Sequence, residues 1–411
     1  MALMTAALGV APCLQAASGT WTAPGGGDYF TTSNWLDDAV PNGENDIATF
    51  GNEGDGAVEV NGGVTVKGIV FEADANAYTI APSSGFHIEL AIAGGSITAT
   101  GTGANAQLIT TEVYRKGSAT ISNDYVSTEH TLTVTGNLKG WTNAPSLLTL
   151  SGGNMGANTI GGIISDDVDG GKTTLNKTGT GTWILSGRNT YGGATNIEGG
   201  MLFVSGTHAP QTAAAYTIDG GALGGAGGTI AASGVTLSGN TGSAINVSGA
   251  GLGSVGSQAA LTTPGVLELD LGSTALDISQ AGGGALQFVL TTPENSDRVR
   301  LSSGTLAIGD GVLSLSNFSF DLSNWAEEGA EGTYILFSTA SPDAIVGSLA
   351  DHDLSAVFGS YHLTLSLGSD ASSFDTLELN VAAVPEPSVL GAILFGAALL
   401  LGSRWRRREV C

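Results

Sequence analysis

Cysteine is almost absent from this 411-residue chain: Cys13 and Cys411 stand near its two extremes. The body between them has no disulfide, no thiolate zinc cluster and no thiol nucleophile. Basic residues are nearly as scarce, with 13 Lys and Arg against 37 Asp and Glu. Four of the 13 lie in the last eight positions. Removing residues 383–411, with those four arginines, Glu386 and Glu409, leaves nine basic against 35 acidic residues, a net charge near −26. Such a body repels phosphate backbones, which argues against a nucleic-acid partner. The five histidines, His87, His130, His208, His352 and His362, show no HxH or HExxH spacing. They are expected as surface or strand residues rather than metal ligands. Charged residues make up only 12% of the chain, yet hydrophobic residues reach 42%, too many for a disordered protein.

What is plentiful is glycine, 64 residues, set among Thr, Ser, Asn, Val, Ile, Leu and Ala. That mixture favours many short strands joined by tight turns. From Gly19 to about Val381 no helical periodicity of any length is visible. Val58-Glu59-Val60, Val64-Thr65-Val66 and Ile69-Val70-Phe71 follow one another closely. Thr217-Ile218, Thr229-Ile230, Val235-Thr236-Leu237 and Ala244 to Val247 come later. Each run is too short to stand alone, but stacked coils of such strands bury a continuous narrow core. The expected fold class is all-β: a right-handed parallel β-solenoid, a C-terminal β-rich module and one C-terminal transmembrane helix. An antiparallel sandwich is the competing arrangement.

The two ends differ from the body. Met1 to Ala17 is uncharged, rich in Ala and Leu, and closes on small residues at Ala16 and Ala17. This is the pattern of a secretory signal peptide without its basic n-region, so residues 1–17 are expected to be a signal peptide, truncated at its start. A buried N-terminal strand or helix is the alternative. At the other end Ser388 to Ser403 is a run of uncharged, mostly apolar residues. As a helix it would span roughly 24 Å, slightly short of a hydrocarbon core of about 30 Å. Pro385 and Pro387 precede it, and Arg404, Arg406, Arg407 and Arg408 follow as a basic stop.

This tail, from Val384 to Arg408, resembles the PEP-CTERM sorting domain of Gram-negative bacteria. The resemblance implies that Pro385-Glu386-Pro387 is a sorting motif read by an exosortase-type membrane enzyme. It also implies that the membrane is engaged through residues 388–403 and that the protein passes from an inner-membrane intermediate to the envelope, outer surface or extracellular matrix. An ordinary permanent anchor is the alternative.

A second stretch, "LNKTGTGTWILSGRNTYGGATNIEGGMLFVSG" from Leu175 to Gly206, resembles the autotransporter-associated β-strand repeat. The resemblance implies a β-helix coil of a secreted passenger. Trp183, Leu185, Ile197, Leu202 and Val204 are expected to point inward, with Tyr191 covering a turn. "NWLDDAVPNGENDIATFGN", Asn34 to Asn52, resembles the N-terminal segment of the same large secreted proteins. "SDRVRLSSGTLAIGDGVLSLSNFSF" and "EGTYILFSTA" resemble their closing module. Residues 384–411 hold no alternating ten-residue strands, so a self-translocating autotransporter is not expected. The domain plan is therefore 1–17 signal peptide, 18–262 solenoid passenger, 263–382 C-terminal β-rich module and 383–411 sorting and anchor segment.

Chemistry is thin. The acidic clusters are Asp37-Asp38, Asp166-Asp167-Val168-Asp169-Gly170, and Glu327-Glu328 with Glu331. Asp166 to Gly170 resembles half a calcium loop but lacks its spacing and distal Glu, and is expected to be a solvated turn. Thr178-Gly179-Thr180-Gly181 precedes no helix and is not a nucleotide loop. Tyr29, Phe30 and Trp141 are candidate exposed aromatics for stacking on sugars. Arg115, Arg188, Arg298 and Arg300 are isolated. No residue is assigned to catalysis, cofactor or metal, and no cofactor is expected. The expected function is a non-enzymatic exported envelope or matrix protein, biofilm- or adhesin-like, with exosortase and extracellular polysaccharide as partners. A polysaccharide lyase or hydrolase on a β-helix is the alternative.

Overall fold

The computed structural model describes residues 18–384 except 93, 103–104, 142, 249–263, 323–324, 326–329 and 371–373. The chain winds in coils of three strands. Gln107–Ile109, Glu112–Arg115 and Ala119–Asn123 form one coil. Leu132–Val134, Leu138–Gly140 and Ser146–Ser151 form the next. Each strand pairs in parallel with its counterpart one coil away. The first strands of successive coils make a twelve-stranded sheet, and the other two join a 24-stranded one. Thr, Val and Ile alternate along these strands, so every second side chain points inward. Leu132 and Val134 are buried and Thr133 faces out. Register turns this alternation into columns. Ile109, Val134, Ile160, Leu185 and Val204 stand one above another, all with no exposure. Each contributes about 1.5–3 kcal/mol by leaving water.

A column of glycines marks the corner after the twelve-stranded sheet. A Cβ on Gly136 would lie 1.9 Å from the carbonyl oxygen of Thr111 one coil before. One on Gly162 would lie 2.1 Å from that of Gly136, one on Gly187 2.3 Å from that of Gly162, and one on Gly206 2.3 Å from that of Gly187. From Gly136 onward backbone packs on backbone at this corner, and each of these four positions leaves no room for a side chain.

The amino-terminal end is sealed by aromatic rings. Trp21 and Trp35 meet edge to face at 5.2 Å, and Tyr29 lies 4.9 Å from Trp35. Tyr29 donates its hydroxyl proton to the Pro41 carbonyl at 2.8 Å, and the Trp35 indole donates to the Tyr29 carbonyl at 2.6 Å. Asp46, nearly buried, accepts the Asn42 amide at 3.0 Å. The motif residues Trp35, Pro41, Asn42, Asp46 and Phe50 thus belong to one end-closing unit. Tyr29 is part of that seal and not an exposed aromatic. Phe30 is half-buried against the same rings.

Parallel pairing continues beyond residue 263. The strand Thr229–Ala231 pairs with Val266–Asp277, which pairs with Arg298–Leu313, which pairs with Ile345–Leu349. Only then does the direction reverse. Ser355–Phe358, Tyr361–Ser369 and Asp375–Ala383 pair antiparallel and close against Gly332–Ser338. Among the described residues from 58 to 248 the strands named pair in parallel, so the antiparallel sandwich does not apply there.

The transmembrane helix in the expected fold class is corrected. The helical elements described are 3-10 turns at Thr32–Asn34, Leu36–Asp38 and Leu315–Asn317. Among the described residues no helix is long and apolar enough to cross a membrane. The Thr-, Val- and Gly-rich runs that fill the chain make strands and turns instead. Residues 388–403, on which that helix was placed, lie outside the described residues, as do residues 1–17, Pro385, Glu386, Pro387, Arg404, Arg406, Arg407 and Arg408.

Candidate ligand-binding face

The outward residues of three successive coils bring aromatic and charged side chains together on one face. His87 and Glu89 alternate with the buried Ile88 and Leu90. On the next coil Glu112 and Tyr114 face out and Val113 and Arg115 face in. Lys139 is outward on the coil after that, and Trp141 follows directly. Parallel register sets His87 beside Glu112, Glu89 beside Tyr114, and Tyr114 beside Lys139. Each ring therefore sits two residues further along its strand than the ring before it. The result is an oblique line of three rings: His87 and Tyr114 meet edge to face at 4.2 Å, Tyr114 and Trp141 at 4.8 Å. Trp141 keeps 46% of its surface exposed at the end of this line.

Ion pairs flank the rings. Lys116 Nζ lies 2.7 Å from Glu89 and 3.6 Å from Glu44. Lys139 Nζ lies 2.8 Å from Glu112 and 5.4 Å from the Tyr114 ring centre. Glu89 also accepts from Thr65 at 3.0 Å, and Glu112 from Asn137 at 2.9 Å. Burial pushes the Glu89 carboxyl up, but the hydrogen bonds from Lys116, Thr65 and His87 outweigh it and hold it below its usual range. The Lys139 hydrogen bond does the same for Glu112 against the opposing effect of burial. Both lysines are in turn held above their usual values, Lys116 first by Glu89 and Lys139 first by Glu112. The face is thus a fixed lattice of donors and acceptors around one open indole.

Below it lies a cation that composition alone presents as an isolated arginine. Arg115 points into the core and is 1% exposed. Gly140, its partner on the next coil, leaves room above it. The guanidinium donates to Ser146 Oγ at 3.3 Å, the Ser165 carbonyl at 3.2 Å and Thr173 Oγ1 at 2.8 Å. Burial lowers its pKa to about 10, against the pull of Asp166 and Asp167, so it stays charged at neutral pH. Alternation with Val113 carries the signal for its inward position.

The acidic turn at Asp166 to Gly170 is occupied by its own backbone. Asp166 accepts the amides of Thr173 at 2.8 Å and Gly192 at 2.9 Å, and Asp167 accepts that of Asp169 at 2.7 Å. Asp167 is 8% exposed. Among the described residues no group of three His, Cys, Asp or Glu could hold a metal ion.

The repeat stretch Leu175 to Gly206, which covers parts of successive coils, places its predicted residues as follows. Trp183, Leu185, Ile197, Leu202 and Val204 all enter the main core with no exposure. Ile184, Met201 and Phe203 form a second, separate cluster. Tyr191 does not cover a turn. It is fully buried, stacks on His208 at 4.0 Å and bonds Thr195 at 2.9 Å. His208 is a buried strand residue whose ring nitrogens meet the Tyr216 hydroxyl at 2.6 Å and the Tyr191 carbonyl at 2.8 Å.

Lys177 is the unexpected member of this stretch. It follows Thr173 and Leu175 on the inward side and has no exposure. Its Nζ donates to the carbonyls of Thr178 at 2.7 Å, Gly179 at 3.1 Å and Gly199 at 2.9 Å, tying two coils together at the turn. Burial pushes its pKa down to about 7. The unfolded chain keeps this amine protonated up to about 10.4. Between those values the unfolded state binds more protons, so stability should rise with pH. We expect a melting temperature about 3–6 °C higher at pH 9.5 than at pH 6.5. The rise should vanish in Lys177→Met, and an equal rise in that variant would assign it to other groups.

The same stretch matches a known family. A family model described as passenger-associated-transport-repeat matches residues 175–202. Over 83 residues, 20% of this chain, the sequence is 42% identical to a protein named "Adhesin BmaC autotransporter" from Brucella suis biovar 1 (strain 1330). The matched stretch is 2% of that protein's length. The chain therefore carries a repeat of the passenger type, which runs from the last strand of one coil, Thr173–Lys177, through the next coil to the strand Met201–Val204.

Proposed function

We propose that this protein is a non-enzymatic, adhesin-like passenger displayed on the outer surface of a Gram-negative cell or in its extracellular matrix. The observation that carries this reading is the passenger-type repeat, whose strands lie in parallel register with those of the neighbouring coils. The similarity to a segment of an autotransporter adhesin supports the same direction. A stack of coils offers long, regular faces and rigid spacing, which suit binding at a surface more than turnover. The face around Glu89, Tyr114, Glu112 and Trp141 is the region we assign to contact. Cells of a non-adherent Gram-negative strain producing the full chain should gain attachment to glycan-coated or cell-covered surfaces. Hydrolysis or β-elimination of a polysaccharide by the full chain, abolished by one Asp or Glu substitution, would replace this reading with the enzymatic one.

Export and sorting form the second part of the proposal. Pro385-Glu386-Pro387 is read as the address for an exosortase-type processing enzyme, with Arg404, Arg406, Arg407 and Arg408 as its basic end. Pro385 and Pro387 flank Glu386 in the sequence, and this spacing is what the reading rests on. Mass spectrometry of protein recovered from envelope and matrix fractions should find chains ending near Pro387. Replacing Pro385, Glu386 and Pro387 by alanine should abolish that cleavage. Exported protein that still carries Arg408 and Cys411 would refute the sorting motif while leaving the adhesin reading intact.

A further inference from the structure

We propose that the oblique line of rings His87, Tyr114 and Trp141, with its flanking ion pairs, binds an uncharged glycan chain laid across successive coils. This inference rests on the adhesin-like reading and names the class of ligand that the face takes.

Three observations point to it. First, the exposed indole of Trp141 is anchored rather than loose. Its backbone amide donates to the Arg115 carbonyl at 2.9 Å, and its ring packs against Tyr114 at 4.8 Å. A fixed aromatic plate loses little conformational freedom when a ligand settles on it. The C–H face of a pyranose is the apolar, gently curved surface that stacks on such a plate. Second, the neighbours of the plate are oriented hydrogen-bonding groups. Glu89 and Glu112 are clamped by Lys116 and Lys139, so their remaining lone pairs point in fixed directions. Sugar hydroxyls, each both donor and acceptor, can meet carboxylate and ammonium alike. Third, the groups recur at the strand spacing of about 4.8 Å. A linear polymer that follows the oblique ring line from coil to coil therefore meets new partners at steps close to the length of one sugar ring, the rings themselves standing 4.2 and 4.8 Å apart.

Charge selects among glycans. Glu44, Glu89 and Glu112 face Lys116 and Lys139, a local balance that is slightly negative. The body around it carries a net charge near −26. Uronic-acid polymers and other polyanions meet repulsion both locally and at long range. A protein partner would need a broad apolar contact of the size stable interfaces bury. The face instead offers one open ring among ion pairs, which fits a narrow, polar, uncharged chain.

The test uses the full chain and defined oligosaccharides: neutral gluco- and manno-oligosaccharides, and a polyuronate of matched length. Trp141 is the most exposed of the described tryptophans, with Trp21, Trp35 and Trp183 buried. Binding of a neutral oligosaccharide should shift tryptophan emission to the blue and protect it from acrylamide quenching. Trp141→Ala should weaken binding about tenfold or more and remove the shift, while Trp141→Phe retains most of the affinity. Val168→Ser, at another exposed apolar position, should change nothing. Three results would each overturn the inference: no neutral oligosaccharide bound, the polyuronate bound more tightly, or Trp141→Ala binding like the parent. Should Trp141→Ala fail to fold, Trp141→Phe decides the matter: it should keep the affinity and lose the emission shift, and a shift that persists in it would place the ligand at another tryptophan. Cells that attach equally well with Trp141→Ala would sink this inference and leave the adhesin reading standing. Glycan binding by the purified chain without attachment by producing cells would do the reverse.

Discussion

Trp183→Ala should remove about 3–5 kcal/mol from the coils around it, the usual cost of emptying a large buried aromatic site. Trp183 has no exposure, and it stands between Asn158 on one coil and Leu202 on the next. Its indole N–H donates to the Ser151 carbonyl at 2.8 Å, a bond that alanine cannot replace. Hydrogen exchange should report the loss locally. Amides in Thr173–Lys177, Thr182–Leu185, Thr195–Ile197 and Met201–Val204 should exchange much faster, while those near Gly43–Phe50 stay protected. That contrast follows from a stack in which each repeat contacts only its neighbours. A uniform loss of protection along the whole chain would show that the coils unfold as one unit.

The glycine corner should be nearly as sensitive to a single methyl group. In Gly162→Ala the new Cβ would stand 2.1 Å from the Gly136 carbonyl oxygen and 2.5 Å from its carbon. Both obstacles are backbone, held in place by the parallel ladder, so no side chain can swing aside. Overpacking of this kind typically costs 1–3 kcal/mol and sometimes more, and the upper end, about 3 kcal/mol, is expected here. Gly63→Ala supplies the control, because nothing lies within 4 Å of its added Cβ. That change should stay within about 0.5 kcal/mol. Limited proteolysis should cut Gly162→Ala between the strands Leu132–Val134 and Thr182–Leu185 and leave Gly63→Ala intact. Equal stability of the two variants would mean that the coils separate freely at this corner.

Much of the core was legible because the strand period is strict. In the stretch from Leu175 the alternation around Trp183, Leu185, Ile197, Leu202 and Val204 gave the inward side directly, and burial agrees. Arg115 and Lys177 obey the same alternation, beside Val113 and Leu175, yet their charge argues for the surface. What admits them is not local. Arg115 needs the space over Gly140 and the acceptors near Ser165 and Thr173, and Lys177 needs the Gly199 carbonyl one coil later. Tyr29 fails in the same way, since its hydroxyl partner at Pro41 comes from the far side of two short turns. The ring line on the outer face has a faint signal, His87, Tyr114 and Trp141 at equal intervals. Only the register, which offsets each coil by two residues, turns that interval into contact. The way the stack continues past residue 263 is harder to read, because Val266–Asp277 and Arg298–Leu313 each run through a corner as one long strand, their mutual register shifting after Leu269 and again between Asp270 and Ala275.

The twelve-stranded sheet also makes the molecule a ruler. Eleven steps between twelve strands, at about 4.8 Å each, give a rod of about 53 Å. The ring line lies toward its amino-terminal end, and the antiparallel hairpins close the other end. The distance between them is therefore counted in whole coils. Inserting or excising one coil between Leu202 and Leu286 would move the ring line by a single strand spacing and leave its contacts untouched. Reach and recognition can thus be adjusted separately, the first by the number of coils and the second by a few side chains on one of their faces.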